Sequence, residues 1–298
     1  MRNLPLPDRE SSRADMTTSV REYTYKRIAR GHRLQEAEIT QLLAIYDRYD
    51  ADLGAASEML KGADLPRSLT DAVYAAYDRT QEGRLLYSLR ERLFKGVDLC
   101  PVCGIDTVSE LDHFLPRSEF KPLAIYSRNL VPSCHHCNHI KLAGFGGQTE
   151  GELALIHAYF DELPDEHFLE ARIDISEGGL VATFQVMADV ELPEGLGERL
   201  AHQIESLELN ERYEKEINTY LMSHATGVHL EHARDGKAGV RRFLRTQARI
   251  EEKKLYLNHW RPTLLRALSR HDEFTDGGFV GIFNVPQDIL NDLFDAED

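Results

Sequence analysis

Cysteine is scarce in this 298-residue chain: there are four, all between residues 100 and 137. Tryptophan occurs once, and no run approaches the ~18 consecutive apolar residues that a membrane-spanning helix needs. The first residues contain no apolar segment of the kind that a secretory signal requires. These absences predict a soluble, cytoplasmic protein without membrane contact. In such reducing surroundings, paired cysteines favour metal binding over disulfides.

Positive charge is also in short supply, because 35 Lys and Arg residues stand against 50 Asp and Glu residues, a net charge of −15. The deficit is uneven along the chain. Residues 149–236 carry 5 basic and 20 acidic side chains, whereas residues 237–270 carry 10 basic and 2 acidic ones. The overall balance argues against tight non-specific DNA binding by the isolated chain. Affinity for a nucleic acid nevertheless depends on the local field at one surface, not on net charge.

The hydrophobic pattern predicts an α+β fold that is mostly helical. Apolar residues recur with helical spacing from about residue 23 to 96 and again from about 193 to 271. Between them, an alternating pattern predicts a hairpin of residues 168–175 and 180–187. The predicted regions are a disordered N-terminus (1–16), a helical region (17–96), a small metal-binding module (97–148), and a C-terminal α+β region (149–298).

Two Cys-x-x-Cys pairs define the module. A two-residue gap lets both sulfurs of a pair face one point, and two such pairs supply the four thiolates of a tetrahedral zinc site. The bare spacing leaves a purely structural zinc module open, whereas no thioredoxin-like βαβ pattern supports a redox role. His135 and His136 are expected to be exposed spacers, because four thiolates already complete the zinc shell. The expected ligands are Cys100, Cys103, Cys134 and Cys137.

Further marks lie between and just after the cysteine pairs. They are Asp112-His113 with Pro116 three residues beyond, the run Asn129-Leu130-Val131-Pro132, and Asn138 through Lys141. Together with the cysteines, this stretch of about forty residues resembles the HNH endonuclease family, in the variant whose ββα-metal motif carries a four-cysteine zinc. The predicted strands are residues 108–114 and 129–132, followed by a helix from Cys137 that nearby glycines end.

The resemblance implies roles for four residues. His113 is the general base, and Asp112 and Asn138 hold a Mg²⁺ or Mn²⁺ ion, while Asn129 braces the loop and orients the base. At the position of Asn138 the family often has His. The three residues that correspond to the family's His-Asn-His would therefore be His113, Asn129 and Asn138. One physical difficulty concerns Asp112 and His113, because adjacent side chains in a regular strand point to opposite faces. Both can serve one site only if the strand ends or bulges there.

The implied activity is hydrolysis of DNA phosphodiester bonds, with the zinc purely structural. The helical flanks resemble, more distantly, bacterial HNH proteins of anti-phage defence, some of which work beside an ATPase partner. Two alternatives stay open. A ribonuclease or toxin would use the same residues on RNA, and a non-catalytic zinc scaffold would bind nucleic acid or protein without cutting.

Several basic residues are candidates for nucleic-acid contact. Lys141 and Arg117 lie near the predicted site and are expected to reach phosphates, and His139 is left open between that role and an exposed helix face. A second group recurs every four residues along one face of a predicted helix, which is typical of a solvated face but also of a backbone-tracking surface. It consists of Arg241, Arg245, Arg249 and Lys253. Trp260 is expected in the core instead of serving as a base-stacking platform.

Overall fold

The structure, a computed structural model, describes residues 1–142, 144, 153–176 and 179–295. Two predicted features lie outside these residues. They are the glycines at 146–147, expected to end the helix that follows the second cysteine pair, and residues 177–178 of the turn in the 168–187 hairpin. The chain forms two compact units, residues 3–163 and residues 164–298 together with residues 1–2. The division thus falls after residue 163 and not after residue 148. Across the described ranges, no helix has both the length and the apolar character to cross a membrane.

The unit of residues 3–163 contains five α-helices and two small antiparallel hairpins among its described residues. The helices are α1 Ser12–Ser19, α2 Glu36–Ala51, α3 Arg67–Ala76, α4 Tyr87–Phe94 and α5 His135–Lys141. The strands are β1 Tyr23–Tyr25, β2 Ile28–Arg30, β3 Glu110–His113 and β4 Leu130–Ser133. Helical turns of the tighter 3₁₀ type cover Glu58–Lys61, Tyr77–Thr80, Lys121–Leu123 and Ser127–Asn129.

Helix α2 forms the spine of this unit. It begins with a capping box. The side chain of Glu38 accepts the backbone N–H of Gln35 at 2.9 Å, and the side chain of Gln35 accepts the backbone N–H of Glu38. Leu42, Tyr46 and Tyr49 follow at helical spacing, and all three are buried. Their stripe faces the loop and hairpin that carry the candidate site, so burial of this apolar face fixes the site against the helix.

Residues from Asn3 onward pack onto this unit. Leu4 is buried in the core, and its N–H donates to the carbonyl of Ala158 at 2.8 Å. Arg128 Nε donates to the carbonyl of Pro7 at 2.9 Å. Helix α1 follows and buries Met16 completely. The composition is polar, but one leucine and one methionine are enough apolar anchors to hold the segment.

Strands β3 and β4 pair antiparallel, with Asp112 opposite Val131 and His113 opposite Leu130. Both lie within or beside the predicted strands, and β3 is shorter, ending at His113. Helix α5 begins at His135, two residues before the expected start. The reason is that the Cys134 sulfur caps it by accepting the N–H of Cys137 at 3.4 Å.

The second unit joins a hairpin to a helical array. Its strands are β5 Leu169–Ser176 and β6 Gly179–Val186, close to the predicted pair. Its helices are α6 Leu196–Ser206, α7 Leu209–Met222, α8 Ala225–Lys254, α9 Trp260–Arg270, α10 Phe279–Phe283 and α11 Gln287–Asp295. Helix α8 is interrupted at Asp235 and Gly236, whose backbone angles are not helical. Gly236 has φ of 52°, a conformation that glycine adopts most easily.

Two asparagines hold this unit together in a way that the sequence pattern does not show. Asn210 accepts the N–H of Phe184 at 2.7 Å and donates to its carbonyl at 3.1 Å. Asn258 likewise accepts the N–H groups of Phe168 and Leu169, at 2.9 and 3.1 Å. Trp260 is 1 % exposed, so the prediction that it lies in the core is confirmed.

Candidate functional site

The four cysteines come together as the spacing predicts. All four are buried, and their sulfurs lie within 4.8 Å of one another. The Sγ atoms of Cys103 and Cys134 are 3.8 Å apart. Two sulfurs bound to one tetrahedral zinc at about 2.3 Å would stand about 3.8 Å apart, so the cluster could bind zinc. Because the shell is closed by four thiolates, such an ion would have a structural role.

The backbone around the sulfurs is shaped for thiolates. The N–H of Ile105 donates to Cys103 Sγ and the N–H of Cys137 donates to Cys134 Sγ, both at 3.4 Å. The first turn requires Gly104, which has φ of 67° and whose N–H donates to the Cys100 carbonyl at 2.9 Å. Each pair therefore presents its sulfurs together with N–H donors that favour their ionised form.

His113 stands at the end of β3 with a defined proton position. Its Nε2 lies 3.0 Å from the carbonyl oxygen of Ala124. A carbonyl can only accept, so Nε2 carries the proton and Nδ1 keeps its lone pair. The ring packs against that of Tyr77, with centroids 4.3 Å apart. Burial, with Arg117 and Lys141 nearby, lowers the pKa of His113 to about 3 despite the Ala124 contact, which keeps the imidazole neutral.

Asn129 is completely buried at the start of β4. Its Oδ1 accepts the N–H of Leu115 at 2.8 Å, and its Nδ2 donates to the carbonyls of Leu115 and Leu123 at 3.0 and 3.3 Å. These bonds close the loop between His113 and β4. The next carbonyl after Leu123 is that of Ala124, which accepts from His113. Asn129 is therefore bonded to the loop that contains the partner of His113, and its role in orienting a base stays a prediction.

Asp112 forms a buried ion pair with Lys141. Lys141 Nζ lies 3.1 Å from Asp112 Oδ1 and donates to the His113 carbonyl at 2.8 Å. The Lys141 side chain is only 7 % exposed, so the amine expected at a phosphate is engaged inside the protein. Burial raises the pKa of Asp112 to about 6, an effect that Lys141 partly offsets and Glu110 reinforces. The role of Lys141 toward a nucleic acid stays a prediction.

Asn138 contacts Glu110 instead of Asp112. Its Nδ2 donates to Glu110 Oε2 at 2.5 Å, and the other carboxylate oxygen lies 2.7 Å from His135 Nδ1. Glu110 and Asp112 share one face of β3, because they are two residues apart. Asp112 and Asn138 thus lie on elements that pack together, but they have different partners, Lys141 and Glu110. In the described part of the chain, no bond links the two predicted metal ligands directly.

Arg117 lies near His113 and packs on two aromatic rings. Its guanidinium stacks over the rings of Tyr74 and Tyr77, 4.5 and 4.6 Å from their centroids. It also pairs with Asp78 at 3.0 Å. The three histidines of α5, His135, His136 and His139, are exposed. Phosphate contact by Arg117 or His139 stays a prediction.

The basic stripe of α8 belongs to the second unit, and its members differ. Arg245, Arg249 and Lys253 are exposed, and within the described residues none of them forms an ion pair. Arg241 instead pairs with Asp272, which also pairs with Lys237. Helix α8 therefore offers an open row of three cations, to which Arg241 adds little because its charge is compensated.

Comparison with known proteins gives one distant relative. The chain is 27 % identical over 147 residues to "Protein ea31" of Escherichia phage lambda, a match that covers 48 % of each protein. The chain thus spans about half the length of the curated relative that it matches. No protein-family model matches the chain, and no solved structure does either. The assignment of a function therefore depends on the site itself.

Sequence reasoning missed three polar contributors to this site. Glu110 was detectable, because strand alternation places it on the face of Asp112. Tyr77 donates its hydroxyl to the Leu111 carbonyl at 2.6 Å and packs on His113, but it lies in a segment that reads only as helix. Tyr49 contacts Asn129 from 80 residues away. No local sequence pattern predicts such a contact, because it depends on tertiary packing.

Proposed function

We propose that the protein is a metal-dependent endonuclease of the HNH type that hydrolyses phosphodiester bonds of DNA. The observation that carries the proposal is the state of His113. It sits beside Asp112 at the end of a strand, with its Nε2 proton committed to the Ala124 carbonyl, and among the described residues none is bonded to its Nδ1. The four-cysteine cluster, the buried Asn129 brace and Asn138 on the following helix support it.

In this proposal, His113 Nδ1 accepts the proton of the attacking water. The lowered pKa keeps the ring unprotonated at neutral pH. A phosphodiester bound beside it adds negative charge, which raises the pKa toward the range of an effective base. Ala124 and Asn129 keep the ring in the one tautomer and orientation that leave Nδ1 available. The imidazole therefore needs no rearrangement before it accepts a proton.

Asp112 and Asn138 would hold a Mg²⁺ or Mn²⁺ ion, since a carboxylate and an amide oxygen are hard ligands suited to these cations. Such an ion would supply Lewis-acid stabilisation of the phosphate and the leaving oxygen. Glu110 holds the Asn138 amide by its nitrogen, so Oδ1 is the atom left to bind. Lys141 compensates the Asp112 carboxylate in the ion-free protein. These are the two oxygen donors that would bind the proposed ion.

The open row of Arg245, Arg249 and Lys253 is proposed to contact the DNA backbone, because uncompensated cations on one helix face attract phosphates at every sequence. We further propose a cytoplasmic role as an effector of anti-phage defence beside an ATPase partner. That part rests on the resemblance of the helical flanks alone.

The decisive experiment is cleavage of supercoiled plasmid with Mg²⁺ or Mn²⁺ by the wild type and by His113→Ala. The wild type should nick or linearise the plasmid, and the variant should be slower by roughly 10²–10⁴. His136→Ala, an exposed change on α5, is the matched control. Cleavage of a structured RNA with no effect on plasmid would favour the ribonuclease alternative. Equal cutting by His113→Ala would refute the mechanism, and a zinc-loaded protein that cuts neither substrate would be a scaffold.

A further inference from the structure

Three buried polar side chains from distant parts of the unit of residues 3–163 form a chain of hydrogen bonds that ends at Asn129 of the predicted site. His157 Nε2 is 2.9 Å from the Tyr49 hydroxyl, which is 3.1 Å from Asn129 Oδ1. All three residues are at most 1 % exposed. Buried polar groups are costly unless they are bonded. The chain is therefore a built feature of the core.

The donors and acceptors of this chain run in one direction. The backbone N–H of Tyr159 donates to His157 Nδ1 at 3.1 Å, so Nδ1 is an acceptor and the proton of a neutral ring is on Nε2. Nε2–H then donates to the Tyr49 oxygen, and the Tyr49 hydroxyl donates to Asn129 Oδ1. That oxygen must face Tyr49, because the N–H of Leu115 donates to it as well. An inverted Asn129 amide would set donors against donors.

The first member of the chain cannot turn easily. The His157 ring packs against Phe114 and Phe160, with centroids 4.0 and 4.7 Å away. On a third side lies Gly54, with φ of 83°, where a Cβ atom would stand 2.7 Å from the His157 ring. The packing therefore fixes the imidazole, and the imidazole fixes the Tyr49 hydroxyl.

We propose that Tyr49 and His157 are positioning residues for the proposed nuclease: through Asn129 they hold the loop whose Ala124 carbonyl orients the base His113. The inference rests on the proposed function for its catalytic consequence. Its structural content, the control of the 114–124 loop from α2 and from residue 157, stands independently. Loss of these hydrogen bonds would loosen the 114–124 loop. The position of the proton on the His113 imidazole would then be less well defined.

The test compares Tyr49→Phe and His157→Leu in the full-length protein with a matched control, Tyr126→Phe. Tyr126 is equally buried, and its hydroxyl, the group that the change removes, donates to Asp50 at 2.7 Å, while its backbone carbonyl, which accepts the Asn129 N–H, is kept. Tyr49→Phe and His157→Leu should lower kcat about 10- to 100-fold with KM unchanged. Hydrogen exchange in residues 114–124 should accelerate. His157→Gln, which keeps a donor toward Tyr49, should retain most of the wild-type behaviour.

Two readouts separate this inference from the proposed function. Hydrogen exchange of the 114–124 loop can be measured without any nuclease activity. It therefore tests the positioning role of Tyr49 and His157 even if the wild type cuts neither substrate. Thermal unfolding identifies variants of equal stability for comparison. Unchanged loop exchange in Tyr49→Phe would overturn the proposal. So would an equal decrease of kcat and equal loop exchange in Tyr126→Phe at matched stability, since the effect would then be general destabilisation.

Discussion

The carboxylate of Glu110 and the side-chain amide of Asn138 are joined by a 2.5 Å hydrogen bond. A carboxylate can only accept, so the amide nitrogen must face Glu110 and the amide oxygen must point elsewhere. One residue of β3 thus decides which atom Asn138 presents. If Asn138 binds the proposed ion, Glu110 is the outer partner that orients it, and losing such a partner typically weakens metal binding about 10- to 100-fold.

Replacing Glu110 should therefore weaken the use of Mg²⁺ or Mn²⁺ without altering the base. Glu110→Ala frees the Asn138 amide to rotate, and the metal concentration for half-maximal cleavage should rise about 10- to 100-fold. Asp112→Ala and Asn138→Ala should show at least as large a shift. The measurement is a metal titration of plasmid cleavage. His135→Ala, which removes only the exposed neighbour of Glu110, is the control and should shift the titration little.

Zinc content is the second expectation. The purified protein should contain one zinc per chain, and Cys100→Ser or Cys134→Ser should lose it and destabilise the unit of residues 3–163. Elemental analysis and thermal unfolding measure the two effects. His136→Ala, an exposed change inside the second cysteine pair, should keep both zinc and stability. A stable zinc-free protein would contradict the prediction.

The pH dependence of stability should reveal the two buried groups of the site. The pKa of His113 falls from 6.5 to about 3 on folding, so below about pH 6.5 the unfolded chain binds the extra proton. The free energy of unfolding should then decrease with acidification by up to about 1.4 kcal/mol per pH unit from this group. Asp112 opposes it, because its pKa rises from 3.8 to about 6, so its protonation favours the folded state as pH falls.

Two variants separate these contributions. Asp112→Asn removes the opposing group and should lose stability more steeply than the wild type between about pH 6 and 4. His113→Gln removes the other group and should lose stability less steeply. Urea unfolding across this range, without added divalent ions, supplies the curves. Parallel curves for all three proteins would mean that neither group is buried as the structure shows.

Binding to DNA should depend on the open cations of α8. Arg245→Gln and Arg249→Gln should weaken binding at every sequence, and each should lower the slope of the salt dependence by about 0.9 if its side chain neutralises one phosphate. Arg241→Gln should have a smaller effect, since Asp272 already compensates its charge. Arg242→Gln is the control, because this exposed arginine pairs with Glu231 and Asp235. Equal effects of all four changes would point to net charge alone.

Local pattern was enough to predict the hairpin, the following helix and the cysteine cluster. Cys-x-x-Cys spacing and strand alternation act over a few residues, and the fold leaves such short-range geometry unchanged. The stop of β3 at His113 also follows from local sequence, since Pro116 lies just beyond. The start of α5 differs by two residues because the Cys134 sulfur serves as its cap.

Long-range contacts could not be predicted in this way. The pairing of Lys141 with Asp112 spans 29 residues, and the contact of Tyr49 with His157 spans 108. Each depends on how the elements pack. The same limit applies to Asn210, which lies 26 residues from its partner Phe184. Its amide satisfies both polar groups of the Phe184 backbone.

The buried partners of Asn129 have a consequence for how such a site could pass between proteins. A gene fragment that encoded only residues 97–148 would carry the cysteines, Asp112 and His113 into a new host, yet leave Tyr49 and His157 behind. The transplanted Asn129 would then lack its donor from α2. A transfer that keeps these bonds would have to include at least residues 49–157, which lie within the unit of residues 3–163.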